Sequence, residues 1–177
     1  MRRPCRFRLL WMRISGIAGQ RRTEMEYRIV DAEEKHLKAL HEIENECFSM
    51  PWTTEMLKAQ LKDQRHEFII AEDGEGNVLG YVGMMYVIDE GYISNVAVSA
   101  KYRRQGVADA LIDALNERAE ALTLAFMTLE VRRSNLPAIR LYEKHGFAVV
   151  GSRKNYYDLP KEDALLMTCF MKRGTEI

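Results

Sequence analysis

The stretch Arg103-Arg104-Gln105-Gly106-Val107-Ala108 lies between an alternating apolar segment and an amphipathic one. It is a short basic turn with a glycine at the point where a helix is expected to begin. The first turn of a helix leaves backbone N–H groups without intrahelical partners, and the helix dipole adds positive potential there. The stretch therefore predicts a binding site for a phosphate-bearing ligand.

A second informative series follows this turn. The apolar run over residues 126–132 predicts a buried strand, and it contains the carboxylate Glu130. Asn135 is placed to cap a following helix, which carries Tyr142 and which Gly146 is expected to end. Burial of a carboxylate without a partner is costly, so Glu130 is unusual in such a strand.

Hydrophobic periodicity predicts a chain that alternates strands and helices. The expected product is an α/β (α+β) fold with a mixed, mostly antiparallel sheet of six or seven strands and helices on both faces. The predicted strands cover residues 26–30, 68–71, 78–87, 92–98, 126–132, 147–151 and 165–171. The predicted helices cover 33–47, a segment capped by Thr53, 106–122, and the segment from Asn135 to Gly146.

The composition is typical of one soluble globular domain. The chain has 177 residues, of which 47% are apolar and 29% are charged, and this suits a single core. No apolar run approaches the roughly 18 residues that cross a bilayer, so no membrane partner is expected. Cys5, Cys47 and Cys169 have no metal-ligand spacing, so we expect no metal and a reduced, cytoplasmic location.

The balanced net charge hides an asymmetry. Of the 26 basic and 26 acidic residues, seven arginines and Glu24 lie in 1–24, which leaves 19 basic and 25 acidic residues in 25–177, a net charge of −6. We expect 1–24 to be a basic extension, disordered or not native, and 25–177 to be the functional domain. An acidic domain suits a cationic partner and argues against nucleic acid.

These two series together resemble the GNAT superfamily of acyl-CoA-dependent N-acetyltransferases. The superfamily's pyrophosphate loop reads Arg/Gln-x-x-Gly-x-Gly/Ala, which Arg103, Gly106 and Ala108 match. The later run Asn135-x-x-Ala138-x-x-Leu141-Tyr142-x-x-x-Gly146-Phe147 resembles the end of the same domain. The resemblance spans roughly residues 25–172 and implies the GNAT fold.

Within the superfamily, the chain is most similar to the RimI family, which acetylates the N-terminal alanine of a small-subunit ribosomal protein. The resemblance implies acetyl-CoA as cosubstrate, direct transfer through a ternary complex, and a protein N-terminus as acceptor. The segments that carry it are Cys47-Phe48-Ser49-Met50-Pro51-Trp52-Thr53, Leu129-Glu130-Val131-Arg132, Arg153-Lys154-Asn155-Tyr156-Tyr157 and Glu162-Asp163-Ala164.

Two residues are candidates for the proton transfers that acetylation of an amine requires. The resemblance implies that Glu130 is the general base, although the sequence also allows it to face solvent or to pair with Arg132 or Arg140. Tyr142 is the candidate acid for the departing thiolate, although most helical tyrosines simply pack against a sheet.

The resemblance also implies two sets of binding residues. Alternatively, Arg103 and Arg104 are a solvated surface pair, and helix capping alone explains Asn135. Asp163 or Glu90 is a candidate to attract a cationic terminus. The expected acetyl-CoA contacts are Val96, Ala97, Val98, Arg103, Arg104, Gln105, Gly106, Val107, Ala108 and Asn135. The expected acceptor contacts are Phe48, Pro51, Trp52, Tyr156 and Tyr157.

Other functions remain open from the sequence alone. A lysine or small-amine acetyltransferase could use the same scaffold, and so could a non-catalytic acyl-CoA-binding module. A nucleic-acid binder that uses the arginine-rich extension ranks last, because 25–177 holds no nucleic-acid motif. We expect a monomer or a weak dimer.

Overall fold

The computed structural model describes residues 11–13 and 26–171, which form one sheet flanked by helices. The strands are β1 (Trp11–Arg13), β2 (Glu26–Asp31), β3 (His66–Asp73), β4 (Val78–Val87), β5 (Glu90–Val98), β6 (Phe126–Arg132), β7 (Ala148–Asp158) and β8 (Lys161–Phe170). The helices are α1 (Leu37–Cys47), α2 (Thr54–Lys62), α3 (Val107–Ala121) and α4 (Leu136–Lys144).

The strand order is β1-β2-β3-β4-β5-β6-β8-β7. Neighbouring strands are antiparallel except β5 and β6, which run parallel. This confirms the predicted mixed, mostly antiparallel sheet. The seven strands between residues 26 and 170 match the predicted number, and β1 adds a short eighth strand along the edge of β2.

The predicted disordered extension over residues 1–24 lies outside the described residues, apart from the backbone of 11–13. The domain boundary at residue 25 therefore stays a prediction.

Local signals set the helix ends. The Thr53 side chain accepts a hydrogen bond from the Met56 amide at 3.2 Å, and Asn135 accepts one from the Ala138 amide at 3.3 Å. Both side chains therefore cap helices, as the sequence predicts. Gly146, at φ +87°, follows the end of α4 in a conformation that favours glycine.

The helices cover both faces of the sheet. On one face, α3 buries Val107, Leu111, Ile112 and Leu115, the four positions predicted for its inner side, against alternate residues of β3 to β6. On the other face, α1 and α2 pack on the intervening residues of β3 to β5 in a second apolar cluster. Because side chains alternate along each strand, one sheet can supply both cores.

β7 and β8 are longer than the sequence predicts. They span 11 and 10 residues and form a long hairpin, whereas the prediction gave 147–151 and 165–171. Most of β7 is exposed, so it lacks the apolar alternation that identifies a half-buried strand.

A register shift disturbs β5 near its middle. Gly83 of β4 pairs with Asn95, but the next residue, Met84, pairs with Ile93. Ser94 is therefore an extra residue in β5, and its hydroxyl donates to the Gly83 carbonyl at 3.0 Å. Such a β-bulge bends the strand that contains it.

The bulge falls where β5 leaves β6. Their parallel pairing consists of Glu90 with Phe126, Gly91 with Met127 and Tyr92 with Thr128, and it ends there. Residues 93–98 of β5, apart from Ser94, keep their antiparallel pairing with β4. The two parallel strands consequently diverge and leave a gap in the middle of the sheet.

We predict that Gly80→Ala destabilises the protein, because β4 and β5 approach closely at this position. A Cβ at Gly80 would lie 2.6 Å from the Ala97 carbonyl oxygen and 2.9 Å from Val98 Cγ2. Overpacking of this kind costs about 1–3 kcal/mol of the free energy of unfolding, which urea titration measures. Gly74→Ala is the control, since nothing lies within 4 Å there. Equal unfolding midpoints for the two variants would contradict this.

Candidate active site

A cavity of about 180 Å³ lies between the diverging ends of β5 and β6. Residues 93–96 of β5 form one wall and residues 129–132 of β6 form the other. The end of α1 contributes Cys47 and Phe48, and α4, its cap and β7 close the remaining sides. The gap in the sheet is therefore lined by elements from both faces.

The cavity brings together predicted residues from all three functional classes. They come from segments far apart in the sequence, and only the divergence of β5 from β6 gives them a common space. Those that line it are the predicted catalytic pair Glu130 and Tyr142, the predicted cosubstrate contacts Val96 and Asn135, and the predicted acceptor contacts Phe48 and Tyr157.

Glu130 lies on the face of β6 opposite the buried residues Leu129 and Val131. Its side chain is 25% exposed and pairs with Arg153 of β7, whose Nη2 is 3.1 Å from Glu130 Oε1. The partner is therefore neither Arg132 nor Arg140, the two that the sequence suggested. Because the Arg153 side chain is 57% exposed, solvent screens this ion pair.

Tyr142 lies almost fully buried in α4, and its ring is 5.9 Å from that of Phe147. Burial raises the pKa of the Tyr142 phenol well above its ordinary value, and the neighbouring Tyr157 adds to this shift. Burial therefore favours the neutral, protonated form of the Tyr142 phenol. A neutral phenol that lines the cavity can donate a proton there.

The turn 103–108 has the backbone geometry of an anion site. Gly106 precedes α3 at φ +76°, and Arg104 also has a positive φ of 60°. Left-handed residues of this kind direct successive N–H groups to one side. The Gln105 side chain donates to the Lys101 carbonyl at 3.0 Å and stabilises the turn.

Arg103 points back toward the sheet. Its Nε donates to the Val98 carbonyl at 2.9 Å, and its Nη2 lies 4.0 Å from Glu46 Oε1. It therefore links the turn to the end of β5 and to α1. Arg104 is exposed, while Ala97 and Val107 are buried in the two apolar cores and Ala108 is half-buried beside Val107.

Some predicted acceptor residues lie outside the cavity lining. Pro51 and Trp52 are half-buried in the segment between α1 and α2, and the Trp52 ring packs 6.4 Å from that of Phe68. Tyr156 is 47% exposed and meets the Tyr157 ring edge-on at 5.1 Å.

The two acids suggested as attractants have other contacts. Glu90 lies at the start of β5, away from the cavity, and accepts a hydrogen bond from the Tyr92 hydroxyl at 2.5 Å. Asp163 accepts one from the Asn155 amide at 2.9 Å. Neither carboxylate lines the cavity.

A buried polar network that was not predicted from the sequence lies beside the cavity. Glu44 of α1 is fully buried, and it accepts hydrogen bonds from the Tyr81 hydroxyl, from Asn95 Nδ2 at 2.7 Å and from the Trp52 amide at 2.6 Å. Burial and this carboxylate raise the pKa of Tyr81. The sequence signal that could have identified this network is the position of Glu44, four residues after Leu40 and so on the apolar side of the helix.

Other features of the described ranges bear on the class of site. Within residues 11–13 and 26–171, no helix is long and apolar enough to cross a membrane. In the same part of the chain, no three histidine, cysteine or acidic side chains form a group that could hold a metal.

Several known proteins are similar to this chain. Ribosomal protein bS18-alanine N-acetyltransferase from Escherichia coli (strain K12) is 33% identical over 141 residues, which are 78% of this chain and 94% of that protein. The protein of the same name from Haemophilus ducreyi is 30% identical over 142 residues, covering 78% and 96%. The crystal structure of the Escherichia coli ribosomal-protein-S18-alanine N-acetyltransferase superposes with a TM-score of 0.77 at 30% identity, covering 85% of this chain and 98% of that one.

The model of the acetyltransferase (GNAT) family matches residues 37–147, more than half of the chain. The matched segment contains the turn 103–108, Glu130 and Tyr142. The match confirms the fold and the enzyme class that the sequence predicted, an acetyltransferase that uses acetyl-CoA. The chain belongs to the acetyltransferase (GNAT) family.

Proposed function

We propose that this enzyme acetylates the N-terminal alanine of a small-subunit ribosomal protein, by direct transfer from acetyl-CoA in a ternary complex. The observation that most strongly supports this proposal is the cavity, which is lined by Glu130 and Tyr142 together with the aromatic residues Phe48 and Tyr157. The names of the relatives from Escherichia coli and Haemophilus ducreyi support the choice of acceptor.

Acetyl-CoA fits the gap between the strands. The pyrophosphate has the N–H groups of turn 103–108 available, next to the start of α3. The edge of β5 over residues 93–98 faces the gap, because its pairing with β6 ends at Tyr92. Backbone groups on such an edge need partners, and the amides of a pantetheine arm provide them. Val96 and Asn135 line this part of the cavity.

Glu130 acts as the general base. An α-amino group has a pKa of about 7.7–8.0, so much of it is protonated at neutral pH and must lose a proton before it attacks. The Glu130 carboxylate takes that proton, directly or through a water molecule. The incoming ammonium group replaces Arg153 as the cation beside Glu130, which keeps the half-buried charge paired.

Tyr142 acts as the general acid. The nitrogen lone pair attacks the thioester carbonyl, and collapse of the tetrahedral adduct breaks the carbon–sulfur bond. The Tyr142 hydroxyl then donates its proton to the departing thiolate. Since burial raises the pKa of Tyr142, the protonated phenol that this step needs is the favoured form.

The acceptor peptide lies between two aromatic walls. Phe48, Pro51 and Trp52 form the first, after α1, and Tyr156 and Tyr157 of β7 form the second. We also propose that the enzyme works as a monomer or a weak dimer in the cytoplasm and does not require nucleic acid.

Acceptor choice is tested with peptides that differ in the amine they offer. We expect acetylation of an alanine-led peptide to exceed that of serine-, methionine- and glycine-led peptides, and that of a blocked peptide with one lysine. The measurement is kcat/KM for each peptide at saturating acetyl-CoA. Preference for the lysine peptide would overturn the proposed acceptor and leave the enzyme class intact.

The base is tested with Glu130→Gln, which keeps the shape of the side chain and removes its basicity. We expect kcat to fall by about 10²–10⁴, with little change in the acetyl-CoA dissociation constant. Glu90→Gln is the matched control, because that carboxylate lies away from the cavity. Turnover of Glu130→Gln at the wild-type rate would remove this assignment.

The acid is tested with Tyr142→Phe, which retains the buried ring. We expect kcat to fall by about 10²-fold or more, while acetyl-CoA binds as in the wild type. Tyr92→Phe serves as the control, since the Tyr92 hydroxyl bonds to Glu90. Unaltered turnover of Tyr142→Phe at neutral pH would refute the assignment.

A further inference from the structure

Arg132, the last residue of β6, holds the turn between β7 and β8. It lies two residues after Glu130 on the same face of the strand and lines the cavity. Its Nη2 donates to the Leu159 carbonyl at 2.8 Å and its Nη1 to the Pro160 carbonyl at 3.0 Å. One guanidinium group thus satisfies two neighbouring carbonyl groups of the turn.

The same guanidinium group lies against Tyr157. Arg132 Cζ is 4.1 Å from the centre of the Tyr157 ring, a cation–π distance. The Tyr157 hydroxyl donates to the Glu130 carbonyl at 3.3 Å. Two residues of β6 therefore hold Tyr157: Arg132 contacts the face of its ring, and the Glu130 carbonyl binds its hydroxyl.

A carboxylate extends this network toward α4. Glu162 of β8 lies 3.4 Å from Arg132 Nη1 and accepts hydrogen bonds from the Ser134 amide at 2.5 Å and hydroxyl at 3.0 Å. The bonds from Ser134 hold the pKa of the Glu162 carboxyl below its ordinary value. Arg132 and Glu162 together join the hairpin to the segment that begins α4.

The turn itself offers little apolar burial. Leu159 is 71% exposed and Tyr156 is 47% exposed. Segments with few buried apolar contacts open most easily, so the polar contacts of Arg132 decide how well this part of the chain is ordered. The Arg132 side chain is only 24% exposed, although the two carbonyl groups that it binds lie at the surface.

We propose that Arg132 is a positioning residue that fixes Tyr157 and the β7–β8 turn as one wall of the acceptor site, and so sets the affinity for peptide acceptors. This inference rests on the proposed function, in which β7 faces the acceptor. Arg132 takes no part in proton transfer. An acceptor with residues beyond the first meets this wall, whereas alaninamide offers it only one residue.

The test uses Arg132→Met, Arg132→Lys and the neighbouring control Arg133→Met, whose side chain is exposed. Lysine keeps the charge but lacks the planar fork that spans two carbonyl groups. We expect both Arg132 variants to raise the KM of an alanine-led hexapeptide about tenfold or more. Wild-type values are expected for kcat, for the acetyl-CoA dissociation constant and for the kcat/KM of alaninamide.

Three results would overturn the inference. One is an unchanged peptide KM in both Arg132 variants. Another is an equal loss on the hexapeptide and on alaninamide, which would place Arg132 in the chemistry or the general fold. The third is loss of acetyl-CoA binding in both variants but not in Arg133→Met. The proposed function is tested separately, by the rates of the wild-type enzyme on alanine-led and lysine peptides. The KM of the Arg132 variants is then compared on the peptide that the wild-type enzyme prefers.

Discussion

The separation of β5 from β6 after three paired residues is the constraint on which this enzyme depends. A continuous sheet would fill the space where Glu130, Tyr142 and Asn95 now meet. The bulge at Ser94 bends β5 without breaking its pairing with β4, so the sheet stays intact on that side. In the proposed acetyl-CoA site, the backbone groups on the inner edge of β5 bind the amides of the pantetheine arm. The proposed acetyl-CoA site therefore depends directly on the separation of β5 from β6.

Much of this architecture could be predicted, because its signals are local. The strand over residues 126–132 and the strand over residues 78–87 have the predicted bounds. Thr53 and Asn135 cap helices as expected. Each depends on residues within a few positions of one another, so periodicity and capping chemistry suffice. Six predicted site residues also line the cavity, because the family motifs indicate which segments form the site.

What could not be predicted depends on contacts between distant segments. Arg153 of β7 reaches Glu130 of β6 across β8, which lies between the two strands in the sheet. The hydrogen bond from the Arg103 side chain to the Val98 carbonyl likewise depends on where β5 ends relative to α3. β7 was underestimated because its residues face solvent, where no apolar pattern is needed. A sequence read alone carries no signal of these pairings.

The buried carboxylate of Glu44 has a consequence for acceptor recognition. It holds Tyr81 of β4, Asn95 of β5 and the Trp52 amide at once, so the connection between α1 and α2 is anchored to the sheet before any peptide arrives. Ordering a loop upon association reduces affinity, and a loop that is ordered beforehand avoids that entropic loss. In the proposed acceptor site the first aromatic wall is therefore preorganised, and we expect recognition on that side to resemble docking to a rigid surface more than induced fit.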